Sequence, residues 1–279
     1  MSVDNYIEKK YGAFSLKEDD WLISLFRILK NFGLCRGALR KTLIGEIIKR
    51  GHSVVDADIY GIKYRLFIAI NTTDAKVLTS SKIYDKFELE FLSTAVHSMS
   101  SPSFSTFLDI GANTGYYSLN MAKFGFQRIF AVEPNPYTLG ILDFNIKINS
   151  FCEKIKIIPF CIGSGEDIGL FFSEDLGSAS VFAKNNNSGS VKVKTCTLLK
   201  IIEDQEIDRI DAMKIDIEGF EDRCLVPFFE RAQPEIWPRR IVLEYCNSEL
   251  WETDIVDKML QIGYEINGKT RGNIFLSLK

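Results

Sequence analysis

The run FLDIGANTGYYSL, residues 107–119, joins an apolar stretch to a polar turn that carries two glycines. Glycine weakens any regular element it interrupts, so Gly111 and Gly115 mark a junction between elements. A glycine turn between a strand and a helix brings backbone N–H groups close to a ligand. Asp109, Gly111, Asn113 and Gly115 are therefore the first candidate binding residues.

Outward from this turn the pattern is regular. Apolar runs TFLDI, RIFAV, KIKIIPF, AMKID and RRIVLEY alternate with helix-like stretches near 114–124, 137–149, 197–204, 219–230 and 249–262. Strand–helix alternation with strands apolar on both faces predicts an α/β fold, a mostly parallel sheet covered on both sides. Residues 163–190, rich in Gly, Ser and Asn, predict a loop or irregular hairpin after the third strand. The ending YEINGKTRGNIFLSL predicts a closing antiparallel hairpin around the Asn267-Gly268 turn signal.

Upstream, SVVDADIYGIKYRLFIAI predicts a hairpin and YDKFELEFLSTAVHSM a helix. Residues 20–50 predict helices: Leu22, Leu25, Phe26, Leu29 and Phe32 form one stripe, and Leu39, Leu43, Ile44, Ile47 and Ile48 another. The division expected is an N-terminal helical and hairpin extension over 1–80 and a catalytic domain over 81–279.

In an open α/β sheet, ligands sit at the C-terminal strand ends. Glu133, in AVEPN, ends the second strand 24 residues after Asp109, a spacing that suits an acid accepting from ribose hydroxyls. Gly111-x-x-x-Gly115 is not the G-x-G-x-x-G of a dinucleotide site, and the turn has no G-K-[ST] phosphate loop. An acid-headed glycine turn suits a ligand that combines adenosine, amine and carboxylate. S-adenosylmethionine is such a ligand, with Asp109 facing the amine and Glu133 the ribose.

The segments FLDIGANTGYYSL, FAVEPNP, IPFCIGS, VKVKTCTLLK, DAMKIDIEGFE and IVLEY resemble the FkbM-type methyltransferases, a branch of the Rossmann-like S-adenosylmethionine-dependent enzymes. The resemblance runs from about Tyr84 to the C-terminus, and KIDIEG is its most specific part. It implies a class I methyltransferase sheet with a C-terminal antiparallel hairpin. It further implies methylation of a hydroxyl, often on a sugar, polysaccharide or polyketide. Pro134 and Asn135, next to Glu133, join the cofactor set. Cys161 and Ile162 replace the usual small residues at the adenine contact.

KIDIEG has its own logic. Lys214, Asp216 and Glu218 alternate with apolar residues at the end of a predicted central strand, where unpaired charges are expensive to bury. A hydroxyl acceptor must lose a proton, which calls for a positioned base. The two histidines, His52 and His97, lie upstream of the motifs and are expected to be structural. That leaves Lys214 with a lowered pKa, or the acids Asp216, Glu218 and Glu244, as catalytic candidates. Glu221 fits helix capping as well as catalysis. A divalent metal held by Asp216 and Glu244 is the alternative to metal-free base catalysis, which is preferred.

The composition limits the other readings. The chain has 279 residues, 46% hydrophobic and 25% charged, with a formal net charge of −3. An acidic balance argues against nucleic acid as partner. Residues 1–50 carry ten Lys/Arg against six Asp/Glu, and their apolar stripes are expected to pack on the catalytic domain or on a second copy as a homodimer. Six scattered cysteines with no C-x-x-C pair, and no leader or membrane-length apolar run, predict a cytoplasmic protein with reduced thiols. The expected acceptor is a small molecule or glycan hydroxyl. A nicotinamide-dependent dehydrogenase and a catalytically silent cofactor-binding scaffold are the rival readings.

Overall fold

The computed structural model describes residues 10–16, 37–80, 82–97, 104–163, 168–172, 179–180 and 190–279. A central sheet of seven described strands organises the chain. β3 (Thr106–Ile110), β4 (Arg128–Val132), β5 (Ile155–Ile158), β11 (Ala212–Ile215) and β12 (Arg240–Glu244) run parallel. β13 (Tyr264–Lys269) and β14 (Asn273–Leu278) close one edge in antiparallel fashion, giving the order β13-β14-β12-β11-β3-β4-β5. The strand that carries KIDIEG is thus the middle one, as the sequence predicts.

Every residue of TFLDI and of AMKI is buried, which a strand reaches only when both sheet faces are covered. Side chains alternate between two apolar layers. Phe107 and Ala212 point to one, packed with Leu119 and Met121 of α4 (Tyr116–Phe124) and with Leu89 and Leu92 of α3 (Lys86–His97). Leu108, Ile110, Met213 and Ile215 point to the other, packed with α6 (Leu198–Asp204), α7 (Glu221–Arg231) and α8 (Ile255–Gln261). α5 (Pro136–Ile148) starts where proline helps, at its first residue, and Asn135 caps it by accepting from the Tyr137 N–H.

The predicted upstream hairpin is β1 (Val55–Ile59) paired with β2 (Ile62–Leu66). It and the helices α1 (Gly37–Lys49) and α2 (Thr72–Thr79) share the first apolar layer, through Ile47, Tyr64 and Val77. Buried Arg65 forks onto Asp56, both bonds at 2.7 Å, and donates to the Gly12 and Ala13 carbonyls, which ties the segment 10–16 to the hairpin. The stripe Leu22 to Phe32 lies outside the described residues. No helix among the described residues is long and apolar enough to cross a membrane.

The excursion after the third strand forms short pairs: β6 (Cys161–Ile162) runs parallel to β10 (Thr195–Cys196). β7 (Ile168–Phe172) pairs antiparallel with β8 (Ala179–Ser180) and β9 (Ser190–Val193). Two expectations are corrected. Asn267-Gly268 is not the closing turn. It lies inside β13 at a register shift between Ile266 and Gly268, and the chain reverses at Thr270–Gly272. Packing overrides the local turn signal there: a Cβ on Gly268 would stand 3.2 Å from the Phe275 ring, which itself stacks on Phe91. The last predicted helix is shorter, because Asp254 caps α8 and the chain before it is a 3-10 turn.

One close approach sets the sheet's upper edge. Asp216 N–H donates to the Ile110 carbonyl at 3.0 Å, and a Cβ on Gly111 would lie 1.9 Å from the Asp216 carbonyl oxygen. Gly111 also sits at φ +81°, so an alanine would be strained as well as blocked. Gly111→Ala is expected to lose about 3 kcal/mol or more in urea unfolding. Gly115→Ala, strained at φ +95° but with its close contact limited to the movable end of Leu142, should lose less.

Candidate active site

The strand order reverses between β3 and β11, and the cleft opens there, above the C-terminal strand ends. Its volume is about 340 Å³, within the ~300–1,000 Å³ of small-molecule sites. The turn after β3, Ile110 to Thr114, forms its floor, with Tyr116 and Tyr117 beyond.

Glu133 stands at one end. Its Oε2 accepts from the Asn113 N–H at 2.9 Å and its Oε1 from the Asn135 N–H at 2.8 Å. The left-handed φ of Asn113, +51°, aims that N–H, a conformation asparagine tolerates better than most residues. Burial lifts the Glu133 carboxyl above its ordinary pKa, and the two N–H bonds restrain the rise. A carboxylate has about four acceptor sites, so two remain toward the cleft it lines. A vicinal diol supplies two donors of that spacing. Val132, Phe160 and Ile162 add apolar wall beside it, suited to a flat base. This end therefore fits the adenosine part of S-adenosylmethionine.

Of the predicted cofactor residues, Gly111, Asn113, Glu133, Pro134, Cys161 and Ile162 line the cleft together. Burial, followed by Glu133, pushes the Cys161 thiol up to about 11. Three others stand behind the wall. Asn135 serves Glu133 and caps α5. Gly115 opens α4 in a left-handed conformation. Asp109, expected to meet an amine, is instead buried against α4, where the Ser118 hydroxyl donates to it at 2.6 Å. Desolvation raises its pKa to about 6.

At the opposite end are Asp85, Asp216, Glu218 and Glu244, with Phe220, Cys246 and Asn273. Lys214 lies beneath them, 2% exposed, and donates to Asn273 Oδ1 at 2.9 Å and Asp216 Oδ2 at 3.3 Å. Its ammonium also sits 5.5 Å from the Tyr117 ring centre. Burial alone would lower its pKa, but Asp216, Glu244 and Asp85 outweigh burial and raise it. A lysine base needs the reverse, so Lys214 stays an ammonium ion. It is a buried counter-charge for the acids above it.

Glu244 is pushed far above the carboxylate range, first by burial and then by Asp216. The Cys246 thiol donates to its Oε1 at 2.9 Å, the Asn247 amide at 3.2 Å, and the Glu218 N–H to its Oε2 at 3.2 Å. Glu221 is fully buried and structural. Its Oε1 accepts from the Ile217 and Gly219 N–H groups and its Oε2 from the Trp251 indole, which fixes the turn after KIDIEG. Among the described residues no group of three or more His, Cys, Asp or Glu is placed to hold a metal ion.

Sequence reasoning missed the wall supplied from upstream. Thr72, Thr73 and Lys76 of α2, then Tyr84 and Asp85, line the cleft. Asn71 donates to the Asn113 side chain at 2.8 Å, and the Thr114 hydroxyl donates to buried Asp74 at 2.7 Å. Their only sequence signal is an Asn and an Asp capping a short helix, which says nothing about distance to the glycine turn.

The sequence matches the model of the methyltransferase FkbM domain over residues 109–266, more than half of the chain. The chain belongs to this family. It is an S-adenosylmethionine-dependent methyltransferase, and the dehydrogenase and scaffold readings fall away. No curated protein matches its sequence. Similar solved structures include M. jannaschii TYW2 in complex with AdoMet, at 13% identity and TM-score 0.39 over 81% of this chain and 85% of that one. Precorrin-6y C5,15-methyltransferase from Geobacter metallireducens GS-15 shares 17% identity at TM-score 0.40, over 68% and 87%. Human methyltransferase 10 domain containing protein shares 13% at TM-score 0.43, over 70% and 80%.

Glu133→Ala removes the carboxylate expected to accept from the ribose diol. It should weaken S-adenosylhomocysteine binding by about 1.5–3 kcal/mol in calorimetry, while near-ultraviolet circular dichroism stays native-like. Unchanged affinity would move the ribose away from Glu133.

Proposed function

We propose that this methyltransferase acts on a hydroxyl of a polyhydroxylated small molecule or glycan. The observation that supports this most is the cluster of carboxyl groups at the end opposite Glu133. Asp85, Asp216, Glu218 and Glu244 all border it, over one buried lysine. Carboxylates accept hydrogen bonds from hydroxyls, and a wall of them repels phosphates, so a sugar-like acceptor suits it better than nucleic acid.

Bound S-adenosylmethionine supplies an electrophilic methyl group. The chain supplies the rest. The Glu133 end orients the ribose. The carboxylates of the other end hold the acceptor's hydroxyls and fix its approach, which is where much of a displacement's rate arises. Phe220 and Tyr84, which line the cleft, help exclude water. Lys214 holds Asp216 in place at 3.3 Å, and Glu244, raised far above the carboxylate range by burial, stands beside the acceptor.

The test is transfer of a labelled methyl group from the cofactor to a panel of sugars, polysaccharides and hydroxylated metabolites, with the labelled atom located in each product. Label on a hydroxyl oxygen is expected, and label on nitrogen or carbon overturns the reading. Asp216→Asn, nearly equal in shape, should keep S-adenosylhomocysteine affinity within about threefold and slow turnover by about tenfold or more. A variant as fast as the wild type removes Asp216 from the acceptor wall.

A further inference from the structure

The proton of the acceptor hydroxyl needs a destination, and most groups around the cleft are already committed. Glu133 is engaged at the ribose end by two N–H groups. Lys214 is held as a cation, and Asp216 is its partner. Glu244 is raised far above the carboxylate range by burial and accepts from Cys246, Asn247 and the Glu218 N–H. Glu218 accepts from the Asn247 amide at 3.2 Å. The phenols of Tyr84 and Tyr117 are raised by burial well beyond neutral chemistry.

Asp85 is different. It lines the cleft from the turn between α2 and α3, in a left-handed conformation with φ +48°. The Tyr117 hydroxyl donates to its Oδ2 at 2.8 Å. About three of its acceptor sites remain, and it lies within the field of Lys214.

We propose that Asp85 is the catalytic base, the carboxylate that receives the acceptor hydroxyl's proton, oriented by Tyr117. The proposal rests on the hydroxyl reading above and adds the residue that carries it out. As the acceptor oxygen bonds to the methyl carbon, the carbon–sulfur bond gives its electron pair to sulfur, leaving a neutral thioether. The hydroxyl proton passes to an Asp85 oxygen, whose charge it cancels, so no charge is left over.

The groups around Asp85 set its proton affinity. Burial raises it first, and Glu88 on α3 raises it further. Tyr117 of α4, Lys214 of β11 and Lys76 of α2 lower it, and the result is about 6. A base near that value is ionised at neutral pH yet still takes up a proton, the compromise general-base catalysis favours.

The full chain is tested as wild type, Asp85→Asn and Tyr117→Phe. Asparagine keeps the size and tolerates the left-handed backbone. Asp85→Asn should bind S-adenosylhomocysteine within about threefold of wild type and lose about 10²–10⁴-fold in turnover. Wild-type turnover should fall on acidification with a midpoint near pH 6, and that limb should vanish from the residual activity of Asp85→Asn. Apart from activity, carbon-13 aspartate NMR should show two carboxyls titrating near 6, Asp109 and Asp85, with the second lost in Asp85→Asn. Tyr117→Phe removes a bond that lowers the pKa, so the Asp85 signal and the acid limb should move up together. Undiminished turnover in Asp85→Asn, an acid limb that persists in it, or a Tyr117→Phe shift in the signal without one in the limb overturns the proposal. Label on an oxygen with Asp85→Asn fully active overturns Asp85 alone, whereas label on nitrogen or carbon overturns the hydroxyl reading and with it the proton assigned here.

Discussion

The approach of Gly111 to the Asp216 carbonyl is the constraint on which the rest of the molecule turns. It presses the loops that follow β3 and β11 together with no side chain between them. The two loops serve different partners. The first leads through Asn113 to Glu133, and the second leads through Asp216 to Lys214 and Glu244. A rigid seam between them holds the two ends of the cleft at a constant separation, which a displacement reaction between two bound molecules requires. The first glycine of the turn is thus explained by backbone against backbone, and its contribution to binding is indirect.

Beneath the acidic end lies a polar network inside an apolar layer. Lys214 reaches Asn273, Asn273 donates to Glu88, and the Thr270 hydroxyl donates to the same Glu88 oxygen. The network joins the middle strand, the closing hairpin and α3. A lone buried ammonium would be very costly, and this set of partners stabilises it while surrounding carboxylates keep it charged. The position of the hairpin turn follows from the same bonds, because Asn273 N–H also donates to Thr270 Oγ1 at 3.3 Å.

Much of this was legible in the residues, for reasons that can be stated. TFLDI, RIFAV and AMKID are apolar on both faces, and only a covered parallel sheet accommodates such runs. Glu133 was legible because the distance from turn to second strand end is set by one helix and one strand. What lay hidden was set by tertiary contact. The preference of Asp109 for Ser118 depends on the direction of α4, and the Asn267-Gly268 signal yielded to the Phe275 ring. Tyr117 and Asp85 are 32 residues apart in sequence, and nothing in either segment announces their hydrogen bond.

The stretch shared with the family, residues 109–266, does not coincide with the walls of the cleft. Glu133, Asp216, Glu218 and Glu244 fall inside it, but Thr72, Lys76, Tyr84 and Asp85 precede it and Asn273 follows it. Kinship detected through the shared stretch therefore reports on the Glu133 end and on part of the acidic end, and not on the upstream wall. The flanks add wall residues of their own, and there one member can come to prefer a different acceptor from its relatives. Comparing such flanks, rather than the glycine turn, is the route by which acceptor choice within this family becomes readable.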